Sequence, residues 1–392
     1  MSSPVFPPSR DVFRPTGTKR SYGFLSTFSP TPCGIATFSA ALGGALAAQS
    51  GASIGVVRVG ANPGEPFAAP VVGDLVGGSS ASVEAAVELL NQFDVAVVQH
   101  EYGIYGGADG DDVLAVLDGL RVPVIVVAHT VVDAPTEHQR FVLNAVAHAA
   151  DVVVVMTEAA RRRLCSRFDV DEAKVVTIPH GAAVPLDAGR DHRARPTILT
   201  WGLLGPGKGV EGVIDSLVEL RDLRPRPRYL VAGRTHPKVL AANGEAYREM
   251  LVRRASANGV APMVEFDPSY RDLASLATLI RGADVVVLPY DSRDQATSGV
   301  LVDAVAAGRP VIATAFPHAI ELLSSGAGIV VPHHDPAAIA AALRRVLTEP
   351  GLAAAMSAEA RRLSGALAWP AVAARYAVLA DGALERVELA AS

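Results

Sequence analysis

Short, nearly unbroken runs of Val and Ile recur along the first half of this chain. They are SIGVVRV (53–59), DVAVVQH (94–100), VPVIVVAHT (122–130), DVVVVMT (151–157) and VVTIPHG (175–181). A strand with one wet face alternates apolar and polar residues, and these runs do not, so both of their faces must be covered. The stretches between them have helical composition: IATFSAALGGALAAQ (35–49), SVEAAVELLNQ (82–92), PTEHQRFVLNAVAHAA (135–150) and EAARRRLCSRF (158–168). With YGFLSTFS (22–29) as a first strand, the alternation predicts a parallel sheet sandwiched by helices. It stops at DAGRDHRARP (187–196), a charged, Pro-terminated stretch that reads as an interdomain linker, and then restarts. Strands are expected at TILTWG (197–202), RYLVAG (228–233), APMVEF (261–266), from Val285, at PVIATA (310–315) and at GIVVP (328–332). Helices are expected at 210–220, 246–259, 273–283, 335–350, 351–364 and from Trp369, with another running through Ile320 to Ser324. A length of 392 residues suits two such units. The predicted architecture is α/β, two Rossmann-like doubly wound halves facing a cleft, with ligands at the carboxyl ends of the strands.

Charge and composition narrow the function. Lys and Arg total 35 against 40 Asp and Glu, and no long basic tract occurs, which argues against a nucleic-acid partner. Cys33 and Cys165 make neither a disulfide framework nor a metal cluster. His236, His318, His333 and His334 are scattered over separate loops, so no metal site is expected. Residues 1–20 are rich in Pro and Ser, read as a flexible segment, and lack the apolar core of a signal peptide. No run is long enough to span a membrane, so the reading is a cytoplasmic protein. Arg161, Arg162, Arg163 and Arg167 cluster on one helix, as a solvated face or as a contact for anionic lipid at the inner membrane face.

Two segments of the second half suit a phosphate. GLLGPGKG (202–209) lies between a strand and a helix; Gly205 and Gly207 permit close backbone approach, and Lys208 brings charge in a chain with lysine elsewhere only at 19, 174 and 238. It is not a P-loop, because Gly209 stands where Ser or Thr is required, and PTPCGIATF lacks the GxGxxG dinucleotide pattern. The other segment, VVVLPYDSRDQATSGVLVDAVAAGRP (285–310), runs from strand through polar loop to helix. A ligand there meets the free amides and positive end of a helix start, at Thr297, Ser298 and Gly299.

Together these segments resemble the donor-binding half of retaining GT-B-fold glycosyltransferases of family 4. The similarity extends to the turn at Gly34, the segments HEYG and AHT, and the final helix starting at Trp369. The resemblance implies an acceptor domain over 21–190 completed by helix 369–390, and a donor domain over 191–368. It also implies a nucleoside-diphosphate sugar as co-substrate, with no cofactor or metal required. GDP-mannose is favoured on family frequency, with UDP-glucose as the other choice. Expected partners are the sugar nucleotide and a glycan, small-molecule or lipid-linked acceptor, in a monomer or homodimer.

The family's residues carry over one at a time. Lys208 matches the lysine of the glycine loop, but Leu203 stands where the family has arginine, so Arg234 in GRTHP is the substitute considered. The family's paired glutamates correspond to Gln295 and Asp303. Asp303 keeps a carboxylate for ribose hydroxyls, whereas Gln295 can orient sugar hydroxyls but not act as acid or base. Asp291 and Asp294 of the same loop are further candidates near the sugar. Gly34 is expected beside the donor phosphates, His129 beside the donor sugar, and His100, Glu101 and Tyr102 at the acceptor. His180 reads as structural, and Glu321 as a cap partner or a nucleotide contact. The implied reaction is retaining hexosyl transfer by front-face substitution. The departures at Leu203 and Gln295 keep two alternatives open, a weakened homologue serving as a binding or partner subunit and a sugar-nucleotide epimerase.

Overall fold

The computed structural model describes residues 19–31, 33–60, 68–184, 195–269, 271 and 273–391. The N-terminal segment and the linker fall, apart from residues 19–20 and 195–196, outside these residues.

The first sheet has seven strands, β1 (Ser21–Ser26), β2 (Ser53–Val59), β3 (Val71–Leu75), β4 (Val95–His100), β5 (Val124–Ala128), β6 (Val152–Val155) and β7 (Val175–Thr177), in the order β3-β2-β1-β4-β5-β6-β7. The second has six, β8 (Thr197–Trp201), β9 (Arg228–Ala232), β10 (Val264–Asp267), β11 (Val285–Leu288), β12 (Val311–Thr314) and β13 (Gly328–Val331), in the order β10-β9-β8-β11-β12-β13. Neighbouring strands pair parallel, for example Tyr22 opposite Ile54 and Val286 opposite Val311. The Val-rich runs lie where two-sided burial requires them: all five residues of β5 and all four of β6 are buried. Burying each such Val contributes about 1.5–3 kcal/mol relative to exposure.

Helices flank each sheet, starting where the sequence supplies caps. Thr136 and Gln139 form a reciprocal capping box on Glu137–Ala149, and Asp335 caps Pro336–Thr348 by accepting from Ala338 N. The final helix, Trp369–Ala391, leaves the second sheet and packs on the first. Val372, Ala373, Tyr376 and Ala380 share a core with Tyr22, Phe24 and Phe38, and Asp381 accepts from Arg20 Nε at 3.0 Å.

Three elements differ from expectation. The strand β3 was not anticipated, because VVGDL contains Gly and Asp, both poor strand formers. Pairing decides it: Asp74 sits opposite Arg58 on β2, and the guanidinium of this buried arginine donates to both carboxylate oxygens at 2.8 and 3.1 Å. The short helix Pro237–Asn243 was also missed, and the strand expected from Ala261 begins as a 3₁₀ turn, Ala261–Met263, before β10.

Topology places the site. In each sheet the chain winds outward from its first strand and then returns to that strand's other side, between β1 and β4 and between β8 and β11. Ligands of doubly wound sheets bind at such switch points, beyond the carboxyl ends. There stand Gly34 after β1, His100 and Glu101 at the end of β4, the 202–209 loop after β8, and the 289–298 loop after β11.

Candidate active site

The 202–209 loop turns back on itself through Lys208 N to Gly205 O, 3.2 Å, and joins the next loop through Asp291 N to Gly207 O, 3.0 Å. Gly207 (φ +87°) and Gly209 (φ +66°) are left-handed, and a Cβ on Gly209 would lie 1.8 Å from Pro289 O, so only glycine fits there. This fold sets the Lys208 ammonium 4.7 Å from the centre of the Tyr290 ring. Burial lowers the Lys208 pKa, and no carboxylate offsets that loss of hydration among the described residues. Arg234 is exposed just past β9, its carbonyl accepting from Leu204 N at 2.9 Å.

Tyr290 links Lys208 to the second phosphate-capable corner. The Ser298 side chain partly offsets the upward pKa shift that burial gives the Tyr290 hydroxyl, and Ser298 caps the helix Gly299–Ala306 by accepting from Leu301 N at 3.2 Å. The Ser298 amide donates to His318 Nδ1 at 2.8 Å. Ser298 is thus engaged in positioning the helix, and the first two helical amides, on Gly299 and Val300, have no intrahelical acceptor. Thr297 is half-buried beside them. Gln295 Nε2 donates to Thr297 O at 3.2 Å, which folds the amide onto its own loop. One turn into the helix, burial raises the Asp303 carboxyl to about 7. Asp294 is exposed, and Asp291 Oδ1 lies 3.3 Å from His334 Nδ1, at a 410 Å³ cavity also lined by Glu211, Asp215 and Asp335.

On the first-domain side the histidines are neutral at pH 7. His129 Nε2 is 2.6 Å from Gln99 Oε1, and the ring stands edge-on to Phe38 with centroids 5.0 Å apart. Phe38 meets His180 and Trp369 in the same manner, at 5.1 and 5.2 Å. Burial lowers His129 to about 3 and His100 to about 4. Glu101 accepts the Thr130 hydroxyl, while Tyr102 is 9% exposed and donates inward to Gln139 O at 3.3 Å. Gly34 opens its helix exposed, and an added Cβ would touch nothing within 4 Å.

His180, read from the sequence as structural, is where the two sides meet. Its Nδ1 is 2.7 Å from Gly181 O, which leaves Nε2 aimed at Gly299, 2.9 Å from where a Cβ on that glycine would stand. Burial holds His180 near 4 and His318 near 3, so the imidazoles are neutral at pH 7. No sequence signal separated His180 and His318 from the other loop histidines. The structure thus brings Lys208, Ser298, Gly299, His318, His180 and His129 into one contact chain. Glu101 and Tyr102 remain on the first-domain side, and Arg234 lies beyond β9. Among the described residues no group of three or more His, Cys, Asp or Glu is placed to hold a metal, and no helix is long and apolar enough to cross a membrane.

Comparison with known proteins gives the family and the fold. Residues 34–184 match the model for Glycosyltransferase Family 4, and residues 190–363 match that for Glycosyl transferases group 1. A D-inositol 3-phosphate glycosyltransferase of Kineococcus radiotolerans is 30% identical over 266 residues, 62% of this chain and 59% of that protein. The aligned region therefore spans less than two thirds of the relative. Among solved structures, sucrose-phosphate synthase from Thermosynechococcus elongatus superposes with a TM-score of 0.73 at 20% identity, over 95% of this chain and 100% of that one. HepE from Anabaena, in complex with UDP-glucose, gives 0.71 at 16% identity, over 93% and 100%.

Proposed function

The chain belongs to the GT-B-fold glycosyltransferases related to group 1 and family 4, and from that membership we propose that it moves a hexose from a nucleoside-diphosphate sugar to an acceptor hydroxyl with retention. The observation that carries this reading is the Lys208–Tyr290–Ser298 contact. One aromatic ring holds an ammonium that pairs with no carboxylate among the described residues, beside the N-terminus of the helix Gly299–Ala306. A diphosphate suits that place, because it supplies a counter-charge to the lysine and acceptors for the Gly299 and Val300 amides, which have no intrahelical one.

In the proposed reaction the acceptor oxygen bonds to the anomeric carbon on the face from which the diphosphate departs. The carbon–oxygen bond to the diphosphate breaks, and the hydroxyl proton passes to the departing phosphate oxygen. Lys208, Arg234 and the helix amides stabilise the charge that grows on the leaving group, with Gly205 and Gly207 letting the backbone approach it. Gly34 gives the diphosphate room from the first-domain side. Neutral His129 orients the sugar without adding positive charge next to a developing oxocarbenium ion. Gln295 orients sugar hydroxyls, and Asp303 accepts from the ribose. His100, Glu101 and Tyr102 line the acceptor side, and the name of the Kineococcus relative makes an inositol phosphate a reasonable acceptor to try. The reaction is proposed to need no metal and to run in the cytoplasm or at the inner face of the membrane.

The test is a panel of UDP-, GDP- and ADP-sugars screened by calorimetry and by slow hydrolysis, with GDP-mannose and UDP-glucose first. Binding of one base in preference to the others, with release of the sugar, is the expected result; no binding by any would overturn the reading. Binding without turnover, with or without acceptor, would instead favour a partner subunit, the alternative motivated by the Gln295 amide folded onto Thr297 O.

A further inference from the structure

We propose that Arg163 is a positioning residue that holds the loop carrying Gln295 in register with the loop carrying His129. The inference rests on the glycosyltransferase reading and names a residue that reading does not use. In the sequence Arg163 is one of four arginines on a helix, with the composition of a solvated or lipid-facing surface. The structure separates them: Arg162 is exposed, the Arg167 side chain is 55% exposed, and that of Arg163 is 12% exposed.

Its guanidinium spans the boundary between the two halves. Nη1 donates to Val131 O at 2.8 Å and to Asp294 O at 2.9 Å, and Nε lies 3.6 Å from Asp133 Oδ1. Val131 is two residues beyond His129, and Asp294 immediately precedes Gln295. A single nitrogen thus ties together the segments that hold the sugar from opposite sides. Arginine suits this task because its donors are fixed in one plane and its charge persists when partly buried.

The same helix, Glu158–Arg167, makes further contacts across the boundary. Thr157 Oγ1 donates to Ala296 O at 3.0 Å, and the amides of Glu158 and Ala159 donate to the two carboxylate oxygens of Glu321, each at 2.9 Å. Glu321 therefore caps a helix of the other half, with the helix dipole in its favour. Arg163 alone among these groups also reaches the His129 loop. The helix itself is seated by buried Ala160 and Leu164 and capped by Thr157, so loss of Arg163 leaves its core intact.

The experiment compares full-length wild type, Arg163→Ala and, as a control, Arg162→Ala. Hydrogen–deuterium exchange is read at residues 129–133 and 293–298. Binding of UDP, GDP and ADP is measured by calorimetry, and turnover with UDP-glucose and GDP-mannose. Arg163→Ala is expected to speed exchange in both segments while helix 158–167 stays protected. It should lower kcat about tenfold or more, as loss of alignment does, and leave the nucleoside-diphosphate Kd within about twofold. Arg162→Ala should match wild type in each measurement. Unchanged exchange in either segment, an unchanged kcat, or loss of protection along the whole helix would overturn the proposal. A wild type that binds none of the three nucleotides would sink the glycosyltransferase reading instead, and the exchange data would still decide whether the bridge exists.

Discussion

At the ends of β8 and β11 an ammonium with no carboxylate partner among the described residues and a helix N-terminus converge around Tyr290. At the ends of β4 and β5 buried His100 and half-buried His129 are neutral, and His129 is turned onto Gln99. Both places are strand ends of parallel sheets with the same winding, so the fold did not choose their charge. Loop chemistry did. The second-domain side keeps its cation desolvated and its first helical amides without an intrahelical acceptor, at a cost in stability that a bound anion would offset. The first-domain side satisfies His129 internally. The contrast teaches a division of labour: one wall handles departing negative charge, and the other orients neutral hydroxyls without competing for the phosphate.

Three measurements would break or sharpen this contrast. The largest effect is expected for Lys208→Ala, which removes the cation from the charged wall. Turnover of the preferred donor should fall about 10²–10³-fold, the range for loss of a preorganised charge-stabilising donor; kcat and Kd within twofold of wild type would end the claim that this wall handles the leaving group. Next is Gly299→Ala, at the contact between the walls. The new methyl would press on His180 Nε2 at 2.9 Å, so donor turnover should drop about tenfold. The double variant with His180→Ala should recover part of that loss, and an additive loss in the double variant would show that the two residues do not meet.

The smallest effect is a pH dependence. Burial raises the Asp303 carboxyl to about 7, so affinity for a sugar nucleotide should rise as pH increases and the carboxylate forms. The gain between pH 6 and 8 is at most about tenfold, and Asp303→Asn should flatten it. The stability linkage has the opposite sign. A carboxyl raised in the folded state contributes stability at pH below its unfolded value near 3.9, and that contribution is lost as pH rises through 7. Replacement by Asn should therefore raise the melting temperature at pH 8 more than at pH 5.

Much of this is legible in the sequence. Burial of β4, β5 and β6 on both faces follows from the lack of alternation in their Val runs, and the restart of the pattern after residue 196 announces a second sheet. Lys208 and the helix start at Ser298–Gly299 also stood out, because glycine loops and helix caps are local signals. The edge strand β3 did not, since its pairing depends on Arg58 meeting Asp74 across the sheet. Ser298 is a partial case: its capping role is local, but the engagement of its amide by His318 joins residues from two different loops.

The sequence by itself determined the fold class, the two windings, and the places where phosphate-binding backbone would stand, because periodicity and capping act over a few neighbouring residues. Tertiary structure alone decided that His180 looks into the second domain's corner and that His318 holds Ser298. It alone turned Arg163 from a surface charge into a bridge. Those roles depend on residues far apart in the chain that become neighbours only when the two sheets face each other, and no local pattern encodes that meeting.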